Sequence, residues 1–187
     1  ALGFDSAPTT PDPDPKKGFD VVTFTGNGGT QNIGGLNFEP GLVWIKTRSH
    51  AQNHGLFDSV RGAGRSLRSS TTGEERGPNT GSDGDLTSFN PDGFSLGSCA
   101  VSGAAAVNVS SQTQVAWAWR AGGPAVANTD GTITSQVSAN TDYGFSIVTY
   151  SGNGTSGATV GHGLGATPKF IIVKRRNSTG RWAVYYD

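Results

Sequence analysis

The chain has 187 residues with 29 Gly, 9 Pro, one Cys, no Met, and fourteen basic against fourteen acidic side chains. That length suffices for one sizeable domain or two small ones with a real core, and a formal net charge of zero removes any general attraction to nucleic acid or an anionic membrane. A single cysteine excludes an internal disulfide, and no stretch approaches the ~20 apolar residues of a spanning helix, so neither membrane insertion nor a nucleic-acid partner is expected.

The opening ALGFDSAP lacks the basic region and apolar run of a secretory signal, and the missing initiator Met points to processing or a cut from a longer chain. Residues Ala7–Lys17 carry four prolines in eleven positions, which suits an extended arm or linker over 1–17 and no core. From Phe19 onward apolar residues come in short runs bounded by Gly, Asn, Ser, Thr or Pro: Phe19–Phe24, Leu42–Ile45, Val115–Trp119, Phe145–Tyr150 and Phe170–Val173. These runs are rich in Val, Ile, Thr and aromatics, which fit a pleated surface. In Val115–Trp119, alternation puts Val115, Trp117 and Trp119 on one face, and core packing is the preferred reading for Trp44, Trp117 and Trp119. Only Arg61–Ser70 tolerates a helix, weakened by its glycines. The fold class expected is all-β: an antiparallel, jelly-roll-like sandwich with little helix and Val115–Trp119 as a central strand.

An internal repeat organises the chain. Phe19-Asp-Val-Val-Thr-Phe-Thr-Gly-Asn-Gly28 aligns with Phe145-Ser-Ile-Val-Thr-Tyr-Ser-Gly-Asn-Gly154 at an offset of 126. After a two-residue insertion Pro40-Gly-Leu-Val-Trp-Ile-Lys46 faces Pro168-Lys-Phe-Ile-Ile-Val-Lys174; after one more, Phe57-Asp58 faces Tyr186-Asp187. The glycines of Gly-Asn-Gly serve positive φ, so a tight hairpin turn is expected in each copy. This gives a first repeat domain over 18–122, a connector over 123–142 and a partial second repeat over 143–187. The second copy lacks a counterpart of Ser59–Gly122, so its apolar strands are expected to pack on another subunit, another protein or a continuation of the chain, by strand addition.

Chemistry-bearing motifs are sparse. His50 and His54 are four apart in a loop with no third ligand, and Cys99 reads as a small buried apolar residue. Asp83, Asp85 and Asp92 alternate with glycines in the manner of an oxygen-rich Ca²⁺ cage, but they miss the twelve-residue loop spacing, and ordinary turn chemistry is the preferred reading. The three glutamates, Glu39, Glu74 and Glu75, nominate no carboxylate pair for glycoside hydrolysis. No catalytic residue, metal or cofactor is expected. Trp182, flanked by Arg175, Arg176 and Arg181, is the best candidate for an exposed binding surface, against the plainer reading of an edge strand defended by charge.

The linear pattern F-x-V-V-T-F-T-G-N-G, P-G-L-V-W-I-K-T-R, H-G-L-F-D-S-V-R-G, D-G-D-L-T-S-F-N-P-D-G-F-S-L-G and V-A-W-A-W-R-A-G-G resembles repeat domains of tailed-phage virion proteins, often tail fibres of marine and cyanobacterial phages. The resemblance covers Phe19 to Asp187 and implies a non-enzymatic structural or adhesive protein at the virion or outside the cell. It implies self-association (a trimer by likeness to fibres), other virion proteins as partners and a possible cell-surface glycan as ligand. A carbohydrate-binding module of a secreted or cell-surface protein is the alternative, and a cell-surface filament protein a third.

Overall fold

The computed structural model describes residues 14–78, 85–99 and 107–187. Most of the proline-rich arm and Asp83 therefore lie outside the described residues. Among the described residues the chain forms twelve strands and no helix beyond the single 3₁₀ turn Pro15–Lys17, capped by the Asp14 carboxylate, which accepts the Lys16 N–H at 3.0 Å. Strand makes up 41% of the structure and helix 2%, so the class is all-β and sandwich-like. The segment Arg61–Ser70 is turns and bridges, not a helix: Leu67 pairs with Leu56, and Ser66 with Arg76.

The strands are β1 (Phe19–Thr25), β2 (Gln31–Ile33), β3 (Leu42–Thr47), β4 (Gly55–Asp58), β5 (Leu86–Asn90), β6 (Gly93–Leu96), β7 (Thr113–Trp119), β8 (Val126–Asn128), β9 (Ser135–Asn140), β10 (Phe145–Tyr150), β11 (Phe170–Lys174) and β12 (Trp182–Tyr186). All sheets are antiparallel. A four-stranded sheet ordered β1-β7-β3-β4 faces a three-stranded sheet ordered β2-β6-β5. Val43, Ile45, Phe57, Ala116 and Ala118 from the first meet Ile33, Leu86, Phe94 and Leu96 from the second in one core, joined by Leu36, Phe38 and Val107. β7 is central, as its alternation predicts, but the face it buries is the small one. Ala116 and Ala118 point inward, and the tryptophans point out. Ala116 and Ala118 are 0% exposed within the core, where larger side chains would overpack it.

The two Gly-Asn-Gly segments match at their last glycine and in their asparagine side chains but are not hairpin turns. β1 pairs with β7, whereas β2, which follows Gly28, pairs with β6 in the other sheet. The segment is thus a corner between layers. Gly28 and Gly154 have φ of 75° and 74°, and each preceding asparagine turns its side chain forward: Asn27 Oδ1 accepts from Gly29 N–H at 2.8 Å, Asn153 Oδ1 from Thr155 N–H at 3.0 Å. Gly26 donates to the Gln112 carbonyl at 2.9 Å, and a Cβ there would lie 2.3 Å from the Val109 carbonyl oxygen, so only glycine fits. A Cβ on Gly152, its repeat equivalent, would meet nothing within 4 Å.

The β11–β12 hairpin repeats the β3–β4 hairpin in register. Leu42 opposes Asp58 and Ile45 opposes Gly55; Phe170 opposes Tyr186 and Val173 opposes Ala183. A uniform shift of 128 relates the two, so the further insertion before Tyr186 is not needed and Tyr185, not Tyr186, stands where Phe57 stands. The repeat is not complete as a sheet, because β1 pairs with β7 while β10 pairs with β9. Residues 123–142 are correspondingly more than a connector: they contribute β8 and β9, which form a three-stranded sheet with β10.

Candidate functional site

The outward side chains of the β1-β7-β3-β4 sheet form an apolar, aromatic face whose rows follow from strand register. Phe19, Trp119 and Leu42 share one row; Val21, Trp117, Trp44 and Leu56 the next; Thr23, Val115 and Lys46 the third. The rings touch in two groups: Phe19 and Trp119 centroids are 4.9 Å apart and Trp119 and Phe145 6.2 Å, while Trp117 and Trp44 are 5.9 Å apart. The three tryptophans are half-buried and Phe19 and Val21 exposed, so the expected core role of Trp44, Trp117 and Trp119 is corrected to an outer face. Hydrophobicity alone cannot choose between the two faces of β7, since both Ala and Trp accept burial; the space between the sheets decides. Phe145, stacked on Trp119, closes one end of the row, and the Tyr143 ring lies so near Gly18 that a Cβ there would fall 2.2 Å from it.

His54 edges this face. Trp44 Nε1–H donates to His54 Nδ1 at 2.9 Å, which requires the neutral imidazole with its proton on Nε2. Burial, followed by the nearby Lys46 ammonium, lowers the His54 pKa below its ordinary value, in keeping with that acceptor role. His50 turns instead to the Ser49 hydroxyl at 3.0 Å. The two histidines are therefore engaged separately.

The predicted surface around Trp182 is an internal junction. Trp182 Nε1–H donates to the Thr71 carbonyl at 2.8 Å, the Lys174 ammonium lies 6.0 Å from its ring centre, and Gly180 N–H donates to the Thr72 carbonyl at 2.9 Å. Arg176 grips Glu75 with two parallel bonds, Nε to Oε2 at 2.9 Å and Nη2 to Oε1 at 3.0 Å, while Glu75 N–H donates to the Arg176 carbonyl at 2.8 Å. Arg175 bonds the Ser178 hydroxyl at 3.2 Å, and Arg181 is exposed. Trp182 and Arg176 are thus committed to the first repeat, and the four residues do not form one free patch. The plainer reading of charge guarding an edge also falls short, because Arg176 holds two parts of the chain together.

Sequence reasoning missed Glu75, the hub of that junction, because it sits in a run of polar loop residues. Its side chain is 8% exposed and bonds Arg61 at 3.3 Å as well as Arg176. Arg61, 4% exposed, also grips Asp58 through Nε and the Leu56 carbonyl through Nη2 at 3.0 Å. Burial pushes the Glu75 carboxyl up, but the Arg176 hydrogen bonds and the Arg61 and Arg176 charges outweigh it and hold the carboxyl below its ordinary value.

The remaining candidates separate. Asp85 precedes β5, its carbonyl accepting from Gly97 N–H, and Asp92 sits in the β5–β6 turn, its carbonyl accepting from Leu36 N–H. Roughly 15 Å of extended strand lies between them, so they do not share a site. Among the described residues no three His, Cys, Asp or Glu side chains converge as metal ligands. Cys99 is buried with its N–H on the Gly28 carbonyl at 2.9 Å. A shallow groove lined by Asp130, Thr159, His162 and Pro168 holds no cluster of reactive groups.

The second notable surface is the β11–β12 hairpin itself. Phe170, Ile171, Ile172, Val173, Val184, Tyr185 and Tyr186 are all exposed, so both faces of a two-stranded ribbon present large apolar side chains. An isolated ribbon of this kind is marginal in water. A family described as a domain of unknown function, DUF7483, matches residues 14–187. No curated protein and no solved structure matches the chain.

Proposed function

We propose, for a chain that belongs to the DUF7483 family, a non-enzymatic structural and adhesive role: a module of a phage virion, in a tail fibre, spike or capsid surface, that assembles through its β repeats. The observation that carries this reading is the doubly apolar β11–β12 ribbon, held to the first repeat at one end by Trp182 and Arg176 and bare along the rest. A ribbon exposed on both faces is unsuited to a free-standing globule and suited to burial between polypeptides. The linear resemblance to phage repeat domains points in the same direction. Partners on this reading are further copies of the chain and other virion proteins. The test is mass spectrometry of purified particles: the protein is expected at a fixed integer ratio to a known virion component, with Phe170, Ile172 and Tyr185 shielded from solvent labelling in the particle and labelled in the free chain. Absence from particles, or equal labelling in both, sinks the proposal.

A second reading, glycan binding, is favoured by the aromatic outer face. Half-exposed indoles in a row, bordered by Lys46 and His54, suit the apolar faces of sugar rings. This moves the candidate glycan surface from Trp182 to Trp44 and Trp117. On a glycan array the chain is expected to bind at least one surface polysaccharide, with Trp117→Ala lowering affinity about tenfold or more, equivalent to ~1.4 kcal/mol. Binding that survives Trp117→Ala and Trp44→Ala but fails in Trp182→Ala would return the site to Trp182.

A further inference from the structure

We infer that the free edge of β11 is an acceptor for one added β-strand of the β7 type, a strand alternating large and small side chains in the manner of Val115-Ala-Trp-Ala-Trp119. The inference deepens the assembly role proposed above by naming what the bare ribbon takes up.

In an antiparallel strand successive residues point their N–H and C=O groups to opposite edges. The Lys169 carbonyl accepts from Asp187 N–H at 3.0 Å, so odd positions 169, 171 and 173 face β12. Even positions Phe170, Ile172 and Lys174 therefore point their backbone groups to the other edge, where β11 has no neighbouring strand among the described residues. In the first repeat the equivalent strand has no such vacancy. Arg48 N–H, on the even edge of β3, donates to the Thr113 carbonyl at 2.7 Å, and β7 pairs along that edge. With the shift of 128 established by the hairpin registers, Leu42, Trp44 and Lys46 correspond to Phe170, Ile172 and Lys174.

Side-chain burial carries the same message. Val43 and Ile45 are 0% exposed beside Ala118 and Ala116 of β7; their equivalents Ile171 and Val173 are 39% and 38% exposed. Gly26 is pressed by the segment that leads into β7, and Gly152 faces open space. The chain thus contains both a filled and an unfilled version of one arrangement, and the filled version states the chemistry of the filler.

The edge is already used at one end. Arg176 corresponds to Arg48; where Arg48 N–H donates to the Thr113 carbonyl, the Arg176 carbonyl accepts the Glu75 N–H, so Glu75 occupies that end of the edge. An incoming strand continues that contact from the equivalent of Val115, opposite Lys174, to the equivalent of Trp119, opposite Phe170. It ends there: a Cβ at Gly41 would lie 2.2 Å from that of Ala121, and Lys169 replaces that glycine. The strand β7 of a second copy is itself central in a sheet, so a folded copy does not supply the filler from its own β7.

The test is amide hydrogen exchange of the full chain, read by NMR, with a synthetic peptide of the sequence Gln114–Arg120 extended by lysines for solubility. In the chain alone the Phe170, Ile172 and Lys174 amides are expected to exchange fast and the Ile171 and Val173 amides slowly. Peptide at ten times its Kd should slow the three even-numbered amides about tenfold. A peptide with proline in place of its first tryptophan, whose N–H faces β3 in the first repeat and would face β11 here, and a scrambled peptide should not. Protection by all three peptides, or by none, overturns the inference. So does protection of the even amides without peptide in a concentration-dependent dimer, which would make a second copy the occupant. The measurement uses no particles, so it fails or succeeds independently of the virion role.

Discussion

Phe57→Ala is expected to cost ~3–5 kcal/mol of folding stability, while Tyr185→Ala, at the equivalent position of the second repeat, should change the isolated chain by no more than about 0.5 kcal/mol. Phe57 is 1% exposed, sits opposite Val43 and fills the core between the two sheets, so its removal leaves a cavity that neighbouring strands cannot close. Tyr185 is 53% exposed, opposite Ile171, and truncating it opens no cavity. Urea unfolding measures both, with a lowered midpoint and unchanged slope expected for Phe57→Ala. Should that variant fail to fold, Phe57→Leu gives the same ordering with a smaller loss. Equal costs at Phe57 and Tyr185 would show that the hairpin is covered within the chain, and both the assembly role and the strand-acceptor inference would lose their basis.

Glu75→Ala is expected to cost ~2–4 kcal/mol, because it leaves Arg61, 4% exposed, with one buried carboxylate where it had two. The figure lies at or below the usual penalty for breaking a buried ion pair, since Arg61 keeps Asp58 and the Leu56 carbonyl. Arg176→Ala should cost less than about 1 kcal/mol, its side chain being 40% exposed and well screened. Both variants should release Trp182 from Thr71, read as a red shift of indole emission. The pH dependence has a definite sign. The folded chain holds the Glu75 carboxyl below its ordinary value of 4.5, so the carboxylate stabilises the fold fully above that pH and its contribution fades as pH falls through the lowered folded value. Urea midpoints of the native chain and Glu75→Gln should therefore converge under acid. Parallel pH profiles would show that Glu75 is not the linked group.

The fold class was legible because short β-branched and aromatic runs bounded by Gly and Asn have few other solutions. The repeat was legible for the same reason, and its marks persist in the conformation: the paired φ values of Gly28 and Gly154, the matching Asn27 and Asn153 side chains, and the common hairpin register. The functional surfaces were less so. Trp182 with its arginines looks free in sequence because the loop it meets, Thr71–Glu75, is about a hundred residues away, and a contact of that span leaves no local pattern.

Amino-acid order by itself determined that this protein is a β structure built from two related segments with Val115–Trp119 at the centre of a sheet, since alternation, turn residues and self-similarity are local properties of the chain. Three things belonged to the tertiary structure alone. Packing against the second sheet turned the alanines of β7 inward and its tryptophans outward. The close approach of Val109 to Gly26 made Gly-Asn-Gly a corner between sheets instead of a hairpin. The supply of neighbouring strands left the second hairpin bare where the first is buried. Each depends on what distant segments bring against a position, and a side chain's burial is a property of that encounter, not of the residue.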